Sequence, residues 1–469
     1  MAPRLAPAIA ARLDHALRTI HQATPRLIAS PPVGQGGGPV KRASVAIIIR
    51  LRPQHPPPAS SISNVTSPTT SPFNPTIPLH PSPPSTPPQR PPSPTSYVST
   101  NPESLSGPSG VVQQLDDFFQ LPWVRDEKTS VEILYIKRAS RTTDRWSGHC
   151  AFPGGRTEPD DESAEFTALR ETWEEVGLDL AEKDWISIGQ LDDREITTSL
   201  GKRLLMILSP FVFLHTSPYA PVPELQESEV ASAHWIPIEL LYPPAAKYGS
   251  VPIDIATRLA PRNRFARGIL KMLMGQMDFA CVHLPNDPVA SGPGLFGAAP
   301  STKLPDISLW GLTYGMTLDL LSHMSLSGSS PDLSTYPYPT GMPSSPSHST
   351  PSPSSSSSSK TTSSRSSSST VASDASIFPR FSHPDINLLI FLFSFRYRRL
   401  LRHPSAQIKN KSGGARPHGR VNWAGVEAGL FYAAVRKALV VAVVLRATAV
   451  LGGVAGLVWW VRARWFARR

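Results

Sequence analysis

The sequence predicts an α/β domain that is interrupted by low-complexity segments and followed by a hydrophobic C-terminal helix. Three observations support this prediction. Strand-like and helix-like apolar patterns alternate between residues 111 and 324. The 52 prolines of the 469-residue chain, about twice the usual share, are concentrated with serine in two tracts. A 24-residue segment near the C-terminus, residues 438–461, contains a single charged side chain.

Residues 1–51 are expected to form the opening helix and strand of the domain. Apolar residues recur at helical spacing over residues 8–22, and the β-branched run over residues 40–51 has the composition of a buried strand. The basic character of residues 1–31 also fits a weak transit peptide. We favour a domain opening, because it accounts for both the helical and the strand pattern.

Two tracts, residues 52–110 and 325–376, are predicted to be disordered. Both are rich in Pro, Ser and Thr and poor in large apolar side chains, so neither buries enough surface to offset its conformational entropy. The first tract would be an insertion between two strands of one domain. Such an insertion is tolerated because the entropy cost of closing a loop grows slowly with loop length. The second tract would be a linker.

The main part of the domain is assigned to residues 111–324. Its patterns predict strands at 131–137, 204–214 and 232–238 and helices at 163–176 and 313–324, and the apolar run at 204–214 is long enough for one or two strands. Gly177 follows the first of these helices, at the position where a left-handed residue usually ends a helix.

The C-terminal region is predicted to contact a membrane. Residues 438–461 exceed the roughly 20 apolar residues that span a bilayer as a helix, and we assign them as a candidate transmembrane helix. Arg446 argues against this assignment, because an arginine at the centre of a transmembrane helix raises the free energy of insertion by about 2.5–3.5 kcal/mol, and by less nearer an end. An interfacial helix is the alternative. The flanking segments, residues 377–437 and 462–469, are basic, and residues 386–395 are too short to span but suited to the membrane surface.

Charge and cysteine content exclude two classes of protein. The chain has a formal net charge of +11, yet residues 111–240 carry 24 acidic and 12 basic side chains. An acidic domain favours cations over bare phosphate chains, so no nucleic-acid partner is expected. The two cysteines, Cys150 and Cys281, are too few for a disulfide framework and have no partners at zinc-ligand spacing. We expect two small thiols without a chemical role.

Three glutamates on one predicted helix form the candidate site. Glu171, Glu174 and Glu175 stand at i, i+3 and i+4, so their carboxylates lie on one side within a single turn. Like charges so placed repel one another. A bound Mg²⁺ or Mn²⁺ would compensate them, because hard divalent cations prefer carboxylate and phosphate oxygens.

The segment before this helix supplies the second half of the site. Gly154 and Gly155 follow a short apolar strand and allow the backbone to approach an ion or a phosphate closely. Asp160, Asp161 or Ser163 can cap the helix that follows. Strand, glycine turn, capped helix and carboxylate cluster together predict a preformed cation site.

At these residues the chain resembles the Nudix hydrolases. Residues 170–178, Arg-Glu-Thr-Trp-Glu-Glu-Val-Gly-Leu, with the glycine pair before them, look like the signature of that family. The signature has a Glu eight residues before its Arg, and Glu162 occupies that position here. It also has a Gly six residues before that Glu, but this chain has Arg156 there. Either the loop carries one extra residue or Asp161 takes the first acidic place.

The flanking residues are similar to those of the coenzyme A diphosphatases within that family. A strand that ends at Arg138 leads to Gly148 and then to Phe-Pro-Gly-Gly at residues 152–155. This order resembles the extended motif of the subfamily. The resemblance covers about residues 41–324 apart from the Pro-rich insertion, and it implies an α/β/α sandwich around a mixed sheet.

The resemblance also implies a function and a set of site residues. The expected reaction is metal-dependent hydrolysis of a diphosphate linkage in a nucleoside diphosphate derivative, with Mg²⁺ or Mn²⁺ as cofactor. The first candidate substrate is coenzyme A or acyl-coenzyme A, which would give adenosine 3′,5′-bisphosphate and (acyl)phosphopantetheine. The implied metal ligands are Glu171, Glu174, Glu175 and the Gly155 carbonyl. Glu171 is alternatively the base that activates the attacking water. Arg170 would orient the carboxylates, and Glu229 or Glu227 would be a general base or a further ligand. The residues implied to bind substrate are Arg138, Arg156, Gly154 and Gly155.

Two other functions remain open, and so does the location. The chain could hydrolyse another nucleotide, such as ADP-ribose or a dinucleotide, or it could be a non-catalytic, membrane-anchored Nudix binding module. A short basic end after one span resembles tail anchors of the peroxisomal or mitochondrial outer membrane, with the catalytic domain in the cytosol. A mitochondrial or a soluble cytoplasmic protein is the alternative.

Overall fold

The computed structural model describes residues 6–28, 40–54, 108–140, 147–197, 204–219, 222–242, 245–259, 263–286, 306–324, 379–396 and 426–467. The strands are β1 (Lys41–Arg52), β2 (Ser130–Arg138), β3 (Cys150–Ala151), β4 (Gly154–Arg156), β5 (Trp185–Gln190), β6 (Arg194–Thr197), β7 (Leu204–His215), β8 (Val230–Pro237), β9 (Lys247–Ile253), β10 (Met277–Leu284), β11 (Ile307–Trp310) and β12 (Arg380–Phe381). The helices are α1 (Ala6–Gln22), α2 (Pro108–Gln120), α3 (Ala164–Val176), α4 (Ile255–Leu259), α5 (Arg264–Met274), α6 (Gly311–His323), α7 (Pro384–Phe393) and α8 (Val426–Phe466).

Strand β1 lies at the centre of a mixed sheet. It pairs with β7 in parallel and with β2 and β4 antiparallel. The sheet runs in the order β3-β2-β1-β7-β5, with β8 beside β2 and β6 beside β7. The predicted opening helix and strand therefore exist as α1 and β1, and the predicted strand at 204–214 is the single strand β7.

Side chains alternate between the two faces of this sheet. Along β1, Val45, Ile47 and Ile49 belong to one core cluster, whereas Ala46 and Ile48 belong to the other. The first cluster contains residues of α1, α2 and α6. The second contains residues of α3. Helices thus cover both faces, since alternate residues of a strand point to opposite sides, and the predicted α/β/α arrangement with a mixed sheet is confirmed.

A second sheet follows the first and was not foreseen from the sequence. Strand β10 pairs along one edge with β9 and along its other edge with β11 and β12, all antiparallel. Only helix α6 of this region was predicted, at residues 313–324. Both cysteines are buried and unpaired, as expected, and burial raises the pKa of Cys150 to about 12.

The candidate transmembrane segment, residues 438–461, lies inside the long helix α8. Val435, Ala438 and Ala442 are buried in a core shared with α4, α5, α7 and β12, and the helix is largely exposed beyond that point. Among the described residues, one helical stretch, Gly429–Phe466, is long and apolar enough to cross a membrane, and 17% of its most apolar window is buried. Length and composition alone support a span only weakly.

Most of the two predicted disordered tracts, residues 52–110 and 325–376, lies outside the described residues. The proposed boundaries of the domain and the linkers therefore stay predictions. The short apolar stretch at 386–395 forms helix α7.

Candidate active site

Helix α3 is fixed at both ends, which sets the positions of the glutamates in its last two turns. At its start the Ser163 hydroxyl accepts a hydrogen bond from the Phe166 amide at 3.0 Å, so one of the helix's free N–H groups is satisfied. At its end Gly177 has a φ of 66° and donates its N–H to the Trp173 carbonyl. That left-handed conformation favours glycine because it lacks a Cβ atom.

Arg170 connects α3 to the loop that precedes it. Its guanidinium donates to both carboxylate oxygens of Asp161, at 2.8 and 3.0 Å, and to the Arg156 carbonyl at 3.0 Å. A third arm donates to Glu174 at 3.0 Å and lies 3.2 Å from Glu171. A two-pronged arginine–carboxylate pair is directional as well as strong. The arrangement agrees with the predicted role of Arg170, which was to orient the carboxylates.

The loop residue that pairs with Arg170 is Asp161, and Glu162 is exposed. Burial by itself raises the pKa of Asp161, but hydrogen bonds from Arg170, from the Glu158 amide and from Thr167 outweigh it and hold the pKa below its usual value. Of the two alternatives read from the signature, the structure favours the one in which Asp161 takes the acidic place. The sequence-based site assignment left Asp161 out.

Glu175 is the most buried carboxylate of the cluster, with 2% of the side chain exposed. It accepts a hydrogen bond from the Gly154 amide at 2.8 Å, and Arg138 Nη1 lies 3.7 Å away. Burial raises the pKa of Glu175 to about 8, against the effects of Gly154 and Arg138, and the charges of Glu171 and Glu229 add to the rise. The group is a carboxylate that lacks sufficient positive charge nearby.

Glu171 lies beside the glycine turn. A Cβ atom at Gly155 would overlap the Glu171 carboxylate, so the backbone comes as close to this acid as a residue without a side chain allows. Burial raises the pKa of Glu171 to about 7; Arg170 opposes the rise, and the charges of Glu174 and Glu229 reinforce it. The neighbouring Gly154 has a φ of 147°, and a Cβ atom there would strike the backbone of β1.

Glu229 reaches the site through an irregularity in the sheet. The β2–β8 register shifts between Lys137 and Arg138, and at this bulge the Glu229 carbonyl accepts a hydrogen bond from the Ala139 amide at 2.7 Å. Glu229 contributes to the pKa of both Glu171 and Glu175, so it lies within electrostatic range of both.

The remaining predicted residues lie at the rim. Glu174 is 38% exposed and is bonded to Arg170. The Arg156 side chain is exposed at the end of β4, and Glu227 is exposed as well. The structure therefore brings Glu171, Glu175, Gly154, Gly155 and Arg138 together, places Glu229 next to them, and leaves Arg156 and Glu227 outside the cluster.

The donor set at the centre of the site suits a hard divalent cation. Glu171 and Glu175 offer carboxylate oxygens at the glycine turn, and Mg²⁺ in proteins takes one or two carboxylates together with water and substrate phosphates. Among the residues described, no group of three or more His, Cys, Asp or Glu side chains is arranged to hold a metal ion. A site made of two carboxylates and a backbone carbonyl is compatible with both observations.

These features define a class of protein: an α/β/α sandwich with an acidic helix held against a glycine turn by an arginine. Comparison with known families is more specific. Residues 121–254 match the NUDIX domain family model, a segment that runs from before β2 to the end of β9 and includes α3. The chain therefore carries a Nudix domain, and the resemblance noted in the sequence is confirmed. Strand β1 lies outside the match although it is central to the sheet.

Several proteins are similar to this chain. An uncharacterized protein of Schizosaccharomyces pombe is 38% identical over 194 residues, which cover 41% of this chain and 56% of that protein. The mitochondrial coenzyme A diphosphatase NUDT8 of Mus musculus is 43% identical over 67 residues, 14% of this chain and 32% of its own length. The chain thus spans about half of the first relative's length and about a third of the second's. The match to NUDT8 supports the resemblance to the coenzyme A diphosphatase subfamily.

Solved structures overlap with the chain only loosely. The Ap4A hydrolase of C. elegans, at 13% identity and a TM-score of 0.22, overlaps with 44% of this chain and 86% of its own. A TM-score this low bears on neither the fold nor the substrate.

Proposed function

We propose that the chain hydrolyses a diphosphate linkage in a nucleoside diphosphate derivative, with coenzyme A or acyl-coenzyme A as its substrate. The products would be adenosine 3′,5′-bisphosphate and (acyl)phosphopantetheine. The observation that carries the proposal is the pair of carboxylates, Glu171 and Glu175, that lies against the glycine turn inside the segment that matches the Nudix domain. The partial similarity to coenzyme A diphosphatases supports the choice of substrate.

Glu171, Glu174, Glu175 and the Gly155 carbonyl are the residues that would hold Mg²⁺ or Mn²⁺. When bound, such an ion neutralises the anhydride oxygens and lowers the pKa of a coordinated water. Arg170 ties the helix to the preceding loop, which would hold Glu171 and Glu175 at the glycine turn without reorganisation, while Glu174 would reach the ion from the rim.

Arg138 and Glu229 flank this point from the bulge between β2 and β8. Arg138 would bind a phosphate oxygen; its position beside the Glu175 carboxylate supports this role. Glu229 would accept a proton from an attacking water or serve as a further ligand. Arg156 would contact substrate from the rim, because its side chain is exposed next to the glycine turn.

A product assay on the full-length chain tests this proposal. Coenzyme A, ADP-ribose and a dinucleotide are incubated with the protein in Mg²⁺ or Mn²⁺, and the products are separated and identified. Coenzyme A cleavage should fall by about 10²- to 10⁴-fold in Glu175→Gln, the range expected for loss of a proton-transferring or charge-stabilising group. Glu182→Gln, which changes an exposed acid away from the site, should leave the rate unchanged.

The other outcomes separate the alternatives. Turnover of ADP-ribose or the dinucleotide alone would keep the reaction and change the substrate. Binding of nucleotide by the folded protein, with no turnover of any of the three, would replace the enzyme with a binding module.

We propose further that α8 anchors the protein in a membrane and leaves the catalytic domain in the cytosol. The hydropathy and length of the stretch Gly429–Phe466 support this, and the basic residues among 462–469 suit an anionic membrane surface. A fluorescent protein fused to the N-terminus should be membrane-bound and become soluble when the chain is truncated before residue 438. An unchanged distribution would remove the anchor.

A further inference from the structure

Three C-terminal helices, α5, α7 and the first part of α8, pack around one small core. Met274 of α5, Ile386 and Ile390 of α7 and Val435 of α8 are buried in it. The inner faces of the three helices are therefore buried against one another. Their outer faces decide what else this region contacts.

The outer face of α5 carries large apolar side chains that nothing in the described structure covers. Phe265, Ile269 and Met272 are 78%, 39% and 66% exposed. Their spacing, i, i+4 and i+7, places them on one stripe of the helix. Leu270 and Leu273 lie on the neighbouring side and pack against the core. The apolar face of α5 is therefore wider than the part of it that packs against the core.

Helix α7 repeats this arrangement. Leu388 and Leu392 are 60% and 57% exposed at i and i+4, and Phe395, just after the helix, is 60% exposed. Single exposed apolar residues are ordinary on a protein surface, but neighbouring clusters of large ones usually mark a contact with another molecule or with a membrane.

Arg446 joins these two faces to the point where α8 leaves the core. Its guanidinium donates to both carboxylate oxygens of Asp385 at 2.6 Å and to the Leu273 carbonyl at 2.5 Å. The first of these partners belongs to α7 and the second to α5. Helices α5 and α7 therefore both contact α8 at Arg446, and residues 447–461, which carry no charged side chain, begin there.

The charge of α5 complements an anionic surface. The helix carries Arg264, Arg267 and Lys271 and no acidic residue. On the helical wheel Arg264 and Lys271 lie next to the exposed apolar stripe, on the side away from Leu273. Cations therefore border one edge of the stripe. This is the pattern of helices that lie in the interface of membranes with anionic lipids.

We propose that the outer faces of α5 and α7 form a collar that lies in the headgroup region of an anionic membrane around the base of α8. A lipid surface is the one partner that covers both stripes and the exposed part of α8 together. Arg446 and Asp385 then lie at the level of the membrane surface, where the pair is hydrated. The collar would hold the catalytic domain against the membrane instead of leaving it on a free tether.

Site-specific labelling of the full-length protein tests the collar. Cys150 and Cys281 are buried, so a cysteine introduced at an exposed position takes an environment-sensitive fluorophore selectively. The test positions are Phe265→Cys and Leu388→Cys, with Val458→Cys to report on α8. Leu205→Cys, at an exposed apolar residue of β7, is the matched control. The labelled proteins are reconstituted in phosphatidylcholine vesicles with and without phosphatidylserine.

The collar predicts about a twofold or greater fluorescence rise at 265 and 388 in the phosphatidylserine vesicles, with quenching by lipids labelled near the headgroup and no change at 205. A rise at 458 without one at 265 and 388 would overturn the collar and leave the anchor. A rise at 265 and 388 without one at 458 would overturn the anchor and, with it, a collar around an inserted α8. A concentration-dependent rise at 265 and 388 without lipid would show that a second copy covers the face, which would also overturn the collar.

Discussion

Two arginines, Arg170 in the Nudix domain and Arg446 in the C-terminal region, each bind both carboxylate oxygens of one aspartate, but in different surroundings. Arg170 uses two nitrogens, Nε and Nη2, whereas Arg446 uses Nη2 alone. The Arg170 and Asp161 side chains are 8% and 2% exposed, whereas Arg446 and Asp385 are 25% and 52% exposed. When the second pair breaks, water solvates its charges more readily than it solvates those of the first. Similar contacts therefore differ in energy: the buried pair fixes the geometry of the site, and the exposed pair joins helices at the surface.

Removing the guanidinium of the buried pair tests this contrast most directly. Arg170→Leu should lower the free energy of unfolding by about 3–5 kcal/mol, because it leaves Asp161 buried without a counter-charge. Urea denaturation measures the change. Arg170→Lys keeps the charge but loses the second hydrogen bond to Asp161, so it should fall between the wild type and Arg170→Leu. A loss below about 1 kcal/mol in Arg170→Leu would place this pair with ordinary surface ion pairs.

The glycine turn offers a variant that acts on the reaction more than on the fold. In Gly155→Ala the new methyl group must displace the Glu171 carboxylate, which is the end of a flexible side chain. We expect about a 10²-fold loss of diphosphatase rate, the usual cost of a displacement near 1 Å in an active site, with little change in unfolding. Gly268→Ala is the matched control, because a Cβ atom there meets nothing within 4 Å. Equal activity of both variants would argue against a catalytic position for Glu171.

Most of the Nudix domain could be predicted because its elements follow local rules. The strand β1, with its β-branched run, and the capped helix α3 each have a pattern that only one structure satisfies. The pairing of β1 with β7 was beyond the sequence, since it joins residues on either side of a long insertion. Strands β5, β6 and β9 to β12 were not predicted. Of these, β6, β11 and β12 have four, four and two residues, which is too short for a clear periodic pattern.

The site was predicted as a set of residue types, and its geometry was not. Spacing along the helix put three glutamates on one side, but the structure separates the buried Glu171 and Glu175 from the exposed Glu174. Asp161 was weighed only as an alternative, because a loop gives no spacing rule that says which of two adjacent acids meets Arg170. Proximity of Glu229 depends on a bulge, which single-sequence patterns do not reveal.

The cap of α3 should contribute less than the Arg170 pair although it fixes the same helix. Ser163→Ala removes the acceptor of the Phe166 amide and should cost about 1 kcal/mol of stability. The measurement is the midpoint of urea denaturation, with the dependence of the unfolding free energy on urea concentration unchanged. Ser163→Asp retains an acceptor and should restore most of the loss. If Ser163→Ala lowered the free energy of unfolding as much as Arg170→Leu, the arginine would not be the main link between the helix and the preceding loop.

The exposed pair in the C-terminal region should show the smallest effect on stability. Asp385→Asn keeps the shape of the side chain and removes its charge, so the protein in detergent should lose only about 0.2–1 kcal/mol, the range of exposed ion pairs. Arg446 keeps its bond to the Leu273 carbonyl in this variant. Thermal unfolding with Asp306→Asn as the control, which alters a second exposed pair at 3.9 Å from Lys247, isolates the contribution. A loss above about 3 kcal/mol would mean that the Arg446 pair is shielded from water like the Arg170 pair, and the contrast between the two regions would then disappear.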